Sequence, residues 1–281
     1  YHSISYTGNI IRLINKFLHI PVVATPHGGD IQKESELHYG IRLKRGWEKK
    51  IKNNLLAADL ITAISKSIYN EINSLIGRKK AIVNIPNGIW LDDFKFSINR
   101  KEVLKKYKIP LNSKIIISVG RNHIIKGFAY GIRAVPLISK YIDNFYYLLV
   151  GKGTDLLRDE VEKLEIIKFV KLIGEIDDRK ELIKLYKSSD LYLSPSLIES
   201  FGITNIEAMA AGLPIIVTDV QGNRDVFEKG IGYLVGLKNV EEIAKACVEI
   251  LKDDDKRKEM SEKAQYCAQK SDWNNIAKQY L

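Results

Sequence analysis

Asp190-Leu-Tyr-Leu-Ser194 followed by Pro195-Ser-Leu-Ile-Glu199-Ser-Phe-Gly202-Ile-Thr-Asn-Ile-Glu207-Ala-Met-Ala-Ala-Gly212-Leu-Pro214 runs through a strand, a loop and a helix in 25 residues. The first five residues are an apolar run of β type. After Gly202 a short helical pattern begins, and Gly212 and Pro214 stop it. Seven residues separate the two carboxylates. Glu199 therefore falls on a strand-to-helix loop and Glu207 on the helix. A helix start offers free backbone N–H groups and the positive end of a dipole, which suit a phosphate or a developing anion. Carboxylates beside it repel a phosphate, but they suit hydroxyl groups as acceptors. A ligand with hydroxyls flanking a phosphate is a sugar nucleotide.

Working outward, strand and helix patterns alternate along the chain. A helix-like stretch near Thr7–Leu18 precedes a buried strand at Pro21–Thr25. A helix over about Tyr39–Ala57, a strand at Asp59–Ala63, a helix from an N-cap at Ser65 to about Ile76 and a strand at Ala81–Ile85 follow. Pro86-Asn87-Gly88 breaks the pattern. Further strands fall at Lys114–Val119, Tyr146–Val150, Lys168–Ile173, Asp190–Ser194 and Ile215–Thr218. Continuous apolar strands between helices imply parallel sheets covered on both faces, an α/β class. The expected organisation is two Rossmann-like domains facing across a cleft. These are a partial N-terminal domain over 1–95, a linker over 96–112, a second domain over 113–265, and a C-terminal helix over 266–281 packing back on the first domain.

The 281 residues with 45% hydrophobic content suffice for two cored domains. The chain opens at Tyr1, which points to a piece whose natural N-terminus lies upstream, so that the first domain is truncated. No apolar run approaches the roughly 18 residues of a membrane span, and no signal peptide is visible. Two cysteines, Cys247 and Cys267, argue for a reducing compartment and against a disulfide or zinc framework. A cytoplasmic location follows, peripheral at the inner face of the plasma membrane. Residues 1–110 carry 19 Lys/Arg against 9 Asp/Glu, and the rest 25 against 25, so the whole excess of +10 lies in the first part. Two readings stand side by side: a solvated basic face, or attraction to an anionic membrane surface. The densest segment is Arg42–Lys52, with Trp47 as an interfacial anchor. No base-reading or zinc motif accompanies it, which ranks nucleic acid low.

Motifs follow the strand ends. Gly120-Arg121 and Lys126-Gly127 come after Lys114–Val119, on the side of a parallel sheet where ligands sit. Arg121 and Lys126 there are either a diphosphate clamp or two surface cations. Val150-Gly151-Lys-Gly153 lacks the third glycine of a dinucleotide fingerprint, and its two glycines, like Gly174, serve either a close backbone approach or a tight turn. Pro26-His27-Gly28-Gly29-Asp30 sets His27 at another strand end. A lone loop histidine is more often structural, but this one sits among the other candidate loops.

Together these pieces resemble the retaining glycosyltransferases of family four, which have the GT-B fold. The resemblance rests on Gly120-Arg121 with Lys126-Gly127, Val150–Gly153, the Glu-x7-Glu block, Asn87-Gly88 and Thr25–Gly28, and covers nearly the whole chain. It implies that Arg121 and Lys126 bind the donor diphosphate, that Glu207 accepts the ribose hydroxyls, and that Glu199 lies near the donor sugar. Phe201, Gly202, Ile203 and Thr204 would line sugar and phosphates, with Gly151, Gly153 and Gly174 close by, and His27 would stand near the reacting centre. The implied reaction transfers a hexose-type sugar from a UDP- or GDP-sugar to a glycan or lipid-linked acceptor, with retention, in polysaccharide biosynthesis. No cofactor is implied, and no Asp-x-Asp signature is present to hold a metal. Val220-Gln221-Gly222-Asn223-Arg224-Asp225 departs from the family's two glycines and Glu. Other readings are a donor-binding fragment without catalysis, a related GT-B phosphorylase or epimerase, and a dehydrogenase-type fold, which the failed glycine fingerprint disfavours.

Overall fold

The computed structural model of the protein describes residues 2–280. The chain divides into two compact units. The first comprises residues 2–87 with Glu199–Phe201 and 276–280; the second comprises Gly88–Ile198 and Gly202–Asn275.

The first unit holds helices α1 (Tyr6–Leu18), α2 (Trp47–Ala57) and α3 (Lys66–Ile76) around strands β1 (Val23–Ala24), β2 (Leu60–Ala63) and β3 (Ile82–Asn84). The strands form a parallel sheet in the order β1-β2-β3. Strand β1 is shorter than the five residues expected. Pro21 has no N–H, and the Val22 amide donates to the Asp59 carboxylate at 2.8 Å instead of to a strand. The helix expected from Tyr39 starts only at Trp47, because Gly46 adopts a left-handed φ of 77° and ends the turn before it. Ser65 caps α3 as expected, its Oγ accepting from the Ile68 amide at 3.1 Å.

Trp47 is not an interfacial anchor. It is buried, its ring packing edge-on against Tyr6 at 4.6 Å with the Lys50 ammonium over it. Arg42 is likewise withdrawn from the surface, paired with Glu71 at 2.7 Å and with the Ile31 carbonyl. The densest basic segment thus spends two of its anchors on the unit's own packing.

The second unit holds α4 (Arg100–Lys106), α5 (Phe128–Ile138), α6 (Arg158–Lys163), α7 (Arg179–Ser188), α8 (Ile203–Ala210), α9 (Gln221–Arg224), α10 (Val240–Lys252), α11 (Asp254–Ala268) and α12 (Trp273–Ile276). Its strands are β4 (Lys114–Val119), β5 (Phe145–Val150), β6 (Val170–Gly174), β7 (Leu191–Ser194), β8 (Ile215–Thr218) and β9 (Gly232–Val235). All pair in parallel, in the order β6-β5-β4-β7-β8-β9. This is the doubly wound order, with its reversal between β4 and β7. Alternate residues of β5, Phe145, Tyr147 and Leu149, enter one core with Ile132 and Val135 of α5 and Cys247 and Ile250 of α10.

Two features depart from expectation. Strand β9 sits at the sheet edge between Gly230 and Gly236, and its glycine-rich surroundings read as turn. The stretch 96–112, expected as a linker, is folded into this unit. Arg100 pairs with Asp190 at 2.9 Å and donates to the carbonyls of Ser188 and Ser113, while Lys106 pairs with Glu181 at 2.6 Å. Charged side chains spaced for a helix face find their partners only in three dimensions, so the polar composition does not reveal this packing.

Candidate active site

In the second unit the reversal between β4 and β7 opens the sheet at their C-terminal ends, where doubly wound folds take ligands. Arg121 follows β4 directly and is exposed. Lys126 ends a 3-10 turn, Ile124–Lys126, with its aliphatic stem against Gly120. The loop after β7 is docked on this turn: the Leu197 amide donates to the Ile125 carbonyl at 2.7 Å. Gly127 permits that docking. Its φ is 61°, and a Cβ there would lie 2.0 Å from the Pro195 carbonyl oxygen. The structure thus joins the cation loop to the start of the Glu-x7-Glu loop by backbone contacts.

The loops after β5 and β6 are knitted together. Gly151 donates to the Gly174 carbonyl at 2.6 Å, and Thr154 Oγ1 bridges the Gly151 carbonyl and the Gly174 amide. A Cβ on Gly151 would meet the Gly120 oxygen at 2.1 Å. The close approach at Gly151 is thus made to the chain's own backbone. Gly153 opens the next 3-10 turn, with Asn122 donating to its carbonyl at 2.9 Å.

Helix α8 starts from Gly202, whose φ is 82°. Its first ladder donors are the amides of Asn205 and Ile206, both to the Gly202 carbonyl, so the amides of Ile203 and Thr204 lie ahead of the helical ladder. Ile203 is exposed, and Thr204 Oγ1 accepts from the Tyr192 hydroxyl at 2.8 Å. One turn further on, Glu207 is buried, and both of its oxygens are held. Oε1 accepts from Arg179 Nη1 at 2.8 Å and Oε2 from the Tyr186 hydroxyl at 3.3 Å. Burial, then the Glu207 charge, push the Tyr186 phenol well above its ordinary pKa, so it stays a donor. Arg179 is fixed from its other side by Asp93 at 2.7 Å. Beneath the helix, Asn205 Nδ2 donates to Asn223, which donates to the Thr218 carbonyl at 2.9 Å, while Asn205 Oδ1 is buried with no partner among the described residues. Asn223 lies in the run that departs from the family pattern, and here it fastens α8 to the end of β8.

The first unit carries His27 on the loop after β1. Asp30 builds that loop: Oδ1 accepts from the amides of His27 and Gly28 at 3.0 and 2.8 Å, and Oδ2 from Ile4. The His27 imidazole is half-buried and meets His2 at 2.8 Å between ring nitrogens. Burial lowers the His27 pKa, with Asp30 raising it and His2 lowering it further. Glu199 and Phe201 group with this unit, while Gly202 and Glu207 belong to the other.

Sequence reasoning missed Arg179, Asp93, Tyr186 and His2. Asp178, an N-cap before a helix, was a signal for the start of α7, its Oδ1 accepting from Lys180 at 2.8 Å. The pairing of Arg179 with a carboxylate 28 positions away leaves no local signal.

Residues 99–266 match the family model of the glycosyl transferases group 1, and residues 1–93 match Glycosyltransferase Family 4. The chain belongs to the group 1 glycosyltransferases. It is 31% identical over 252 residues to N-acetyl-alpha-D-glucosaminyl L-malate synthase of Bacillus anthracis, covering 87% of this chain and 62% of that enzyme. It is 28% identical to phosphatidyl-myo-inositol mannosyltransferase of Mycobacterium leprae, covering 93% and 66%. The chain thus spans somewhat less than two thirds of these relatives' lengths. The Anabaena protein HepE, solved with UDP and glucose, superposes with a TM-score of 0.84 at 20% identity, covering 97% of this chain and 73% of that one. The fold is GT-B, built of two Rossmann-like α/β units.

Proposed function

We propose that the protein transfers a hexose-type sugar from a UDP- or GDP-sugar to a hydroxyl of a glycan or lipid-linked acceptor, with retention and without a divalent metal. The observation that carries this reading is the docking of the Arg121–Lys126 loop on the loop leading to α8, through Leu197–Ile125 and Gly127–Pro195. Two cations and a helix start then serve one end of a sugar nucleotide, and Glu207 accepts the hydroxyls of its ribose. UDP is the first donor nucleotide to try, given the solved HepE complex.

Breaking the sugar–phosphate bond puts negative charge on the leaving diphosphate and positive charge on the sugar. Arg121, Lys126 and the amides of Ile203 and Thr204 offset the first, a task that a metal ion performs elsewhere. The acceptor hydroxyl attacks from the face that the diphosphate leaves, and the leaving phosphate takes the proton. Neither Glu199 nor His27 acts as a nucleophile in this scheme. Retention follows from the same-face attack, and a peripheral site at a membrane surface suits a lipid-linked acceptor.

Arg121→Ala and Lys126→Ala test the reading. Each is expected to lower kcat/KM for donor by about 2–4 kcal/mol of transition-state stabilisation, the scale of a lost oxyanion donor. Near wild-type transfer in both variants would remove the diphosphate assignment. A second reading, donor binding without catalysis, is favoured by one observation: the cation loop, the α8 start and Glu207 all lie in the second unit. Titration with UDP and GDP beside a donor-hydrolysis assay separates the two, since binding without turnover selects the second.

A further inference from the structure

A carboxylate that recognises a vicinal diol must be held in one orientation, because each of its oxygens has to meet one hydroxyl. A free glutamate side chain rotates about three bonds and loses that geometry. Glu207 is held. Arg179 Nη1 takes one lone-pair position of Oε1 and the Tyr186 hydroxyl takes one of Oε2, at 2.8 and 3.3 Å. Each carboxylate oxygen accepts two hydrogen bonds, so one acceptor position remains on each. One carboxylate thus keeps an acceptor position for each of two neighbouring hydroxyls, as a ribose diol requires.

Arg179 is the stronger of the two holds and is itself immobilised. Its Nε donates to Asp93 at 2.7 Å, its guanidinium lies over the Phe94 ring, and the Asp178 cap fixes the helix turn from which it projects. The planar fork is what allows one side chain to face two carboxylates in fixed directions; an ammonium on a flexible stem does not impose them. Glu207 has only 10% of its side chain exposed, so an opposite charge at hydrogen-bond distance is also what keeps a buried carboxylate tolerable.

We infer that Arg179, clamped by Asp93, is a positioning residue that aims the Glu207 carboxylate at the ribose hydroxyls of the donor nucleotide and so sets discrimination between ribo- and deoxyribonucleotides. This rests on the reading of Glu207 as the ribose acceptor. It adds Arg179, the first residue of α7, and a second, outer carboxylate, Asp93, from the 3-10 turn Leu91–Phe94.

The test is isothermal titration of the full chain with UDP and with 2′-deoxy-UDP, for wild type, Glu207→Gln, Arg179→Met, Arg179→Lys and Asp93→Asn. Wild type should prefer UDP by about tenfold, the loss of one good hydrogen bond to a charged acceptor. Arg179→Met should weaken UDP binding by about tenfold or more and bring the UDP to deoxy-UDP ratio close to one. Arg179→Lys should keep part of the affinity but not the ratio, and Asp93→Asn should lower the ratio with the fork intact. A merely structural role would weaken both nucleotides alike and leave the ratio unchanged, which overturns the inference. If Arg179→Met does not fold, judged by circular dichroism, the ratio in Arg179→Lys and Asp93→Asn decides in the same way. If wild type shows no preference and Glu207→Gln binds UDP normally, the ribose reading itself fails and the inference with it; if wild type binds no UDP, the same series with GDP and 2′-deoxy-GDP decides, and no binding of either nucleotide ends the ribose reading. A preference that Glu207→Gln abolishes and Arg179→Met retains sinks only the role of Arg179.

Discussion

Replacing Gly127 with alanine should damage stability and donor binding together, because one contact serves both. Gly127 has a φ of 61°, and an alanine there would place its Cβ 2.0 Å from the Pro195 oxygen and 3.0 Å from its carbonyl carbon. The left-handed conformation alone costs about 1–2 kcal/mol for a residue with a Cβ. Relieving a backbone overlap of this depth adds about 1–3 kcal/mol, the usual range for overpacking. The sum, about 2–5 kcal/mol, lowers Tm by roughly 4–20 °C in a unit of this size. Gly174→Ala is the matched control in the same unit. Its φ is 79°, but a Cβ there meets nothing within 4 Å, so only the conformational part is expected. Thermal and urea unfolding of the full chain give the stabilities, and UDP titration gives the functional readout. Pushing Pro195 away also strains the Leu197–Ile125 bond that holds the Arg121–Lys126 loop to the segment leading to α8, so Gly127→Ala should bind UDP at least tenfold more weakly. Equal destabilisation by the two substitutions would refute the packing argument. A large destabilisation with unchanged UDP binding would refute the claim that this contact sets the cations.

Burial holds the His27 imidazole below its ordinary 6.5, so the folded chain favours the neutral ring. As pH falls below about 6.5 the unfolded state takes up the proton first, and stability should drop with it; His27→Asn should flatten the shift in urea midpoint between pH 7.5 and 5.5, and an unchanged slope would exclude His27 as its source. Arg100→Met leaves the carbonyls of Ser188 and Ser113 without this donor, and Asp190 Oδ2 with the Ile115 amide alone. With Arg100 partly exposed, about 1–3 kcal/mol of stability should be lost, read from chemical denaturation; a loss under 0.5 kcal/mol would return the 96–112 stretch to the status of a loose linker. Burial pushes the thiols of Cys247 and Cys267 up, so neither should react with Ellman's reagent at pH 8 until urea unfolds the chain.

The alternation of strands and helices was legible because burial on both faces of a parallel sheet leaves apolar runs, as in Lys114–Val119 and Ile215–Thr218, which match β4 and β8 to the residue. What escaped lacks that signature. Strand β1 has only two residues and half of it is exposed, while β9 lies at an edge between glycines. Trp47 was misread for a different reason: a cluster of basic residues suggests a surface, yet the aromatic ring within it is spaced to face Tyr6 and the core. For the site, the strand-end loops could be named from glycine, cation and carboxylate patterns. The residues that hold those groups could not be, since Arg179 with Glu207, Asp93 with Arg179 and His2 with His27 are joined across 28, 86 and 25 positions.

The spacing of Glu199 and Glu207 follows from what the chain must do between them. Strand β7 ends at Ser194, and the next residues are committed to the cation loop, through Pro195 against Gly127 and Leu197 on Ile125. The chain must then leave that contact, turn through the left-handed Gly202 and present the Ile203 and Thr204 amides before the helical ladder closes at Asn205. In the proposed scheme a carboxylate on the first turn would face the phosphate it repels. On the second turn it points instead toward α7, where Tyr186 and Arg179 can hold it. Position 207 is the first along α8 to satisfy both demands, the distance from the anion end and the reach to Arg179. Shortening the interval by one residue would rotate that carboxylate by about 100° around the helix, away from Arg179. An acidic side chain at position 206, where Ile206 is buried, would lack that opposite charge, so the place of Glu207 is fixed by the fold of this one unit before any substrate arrives.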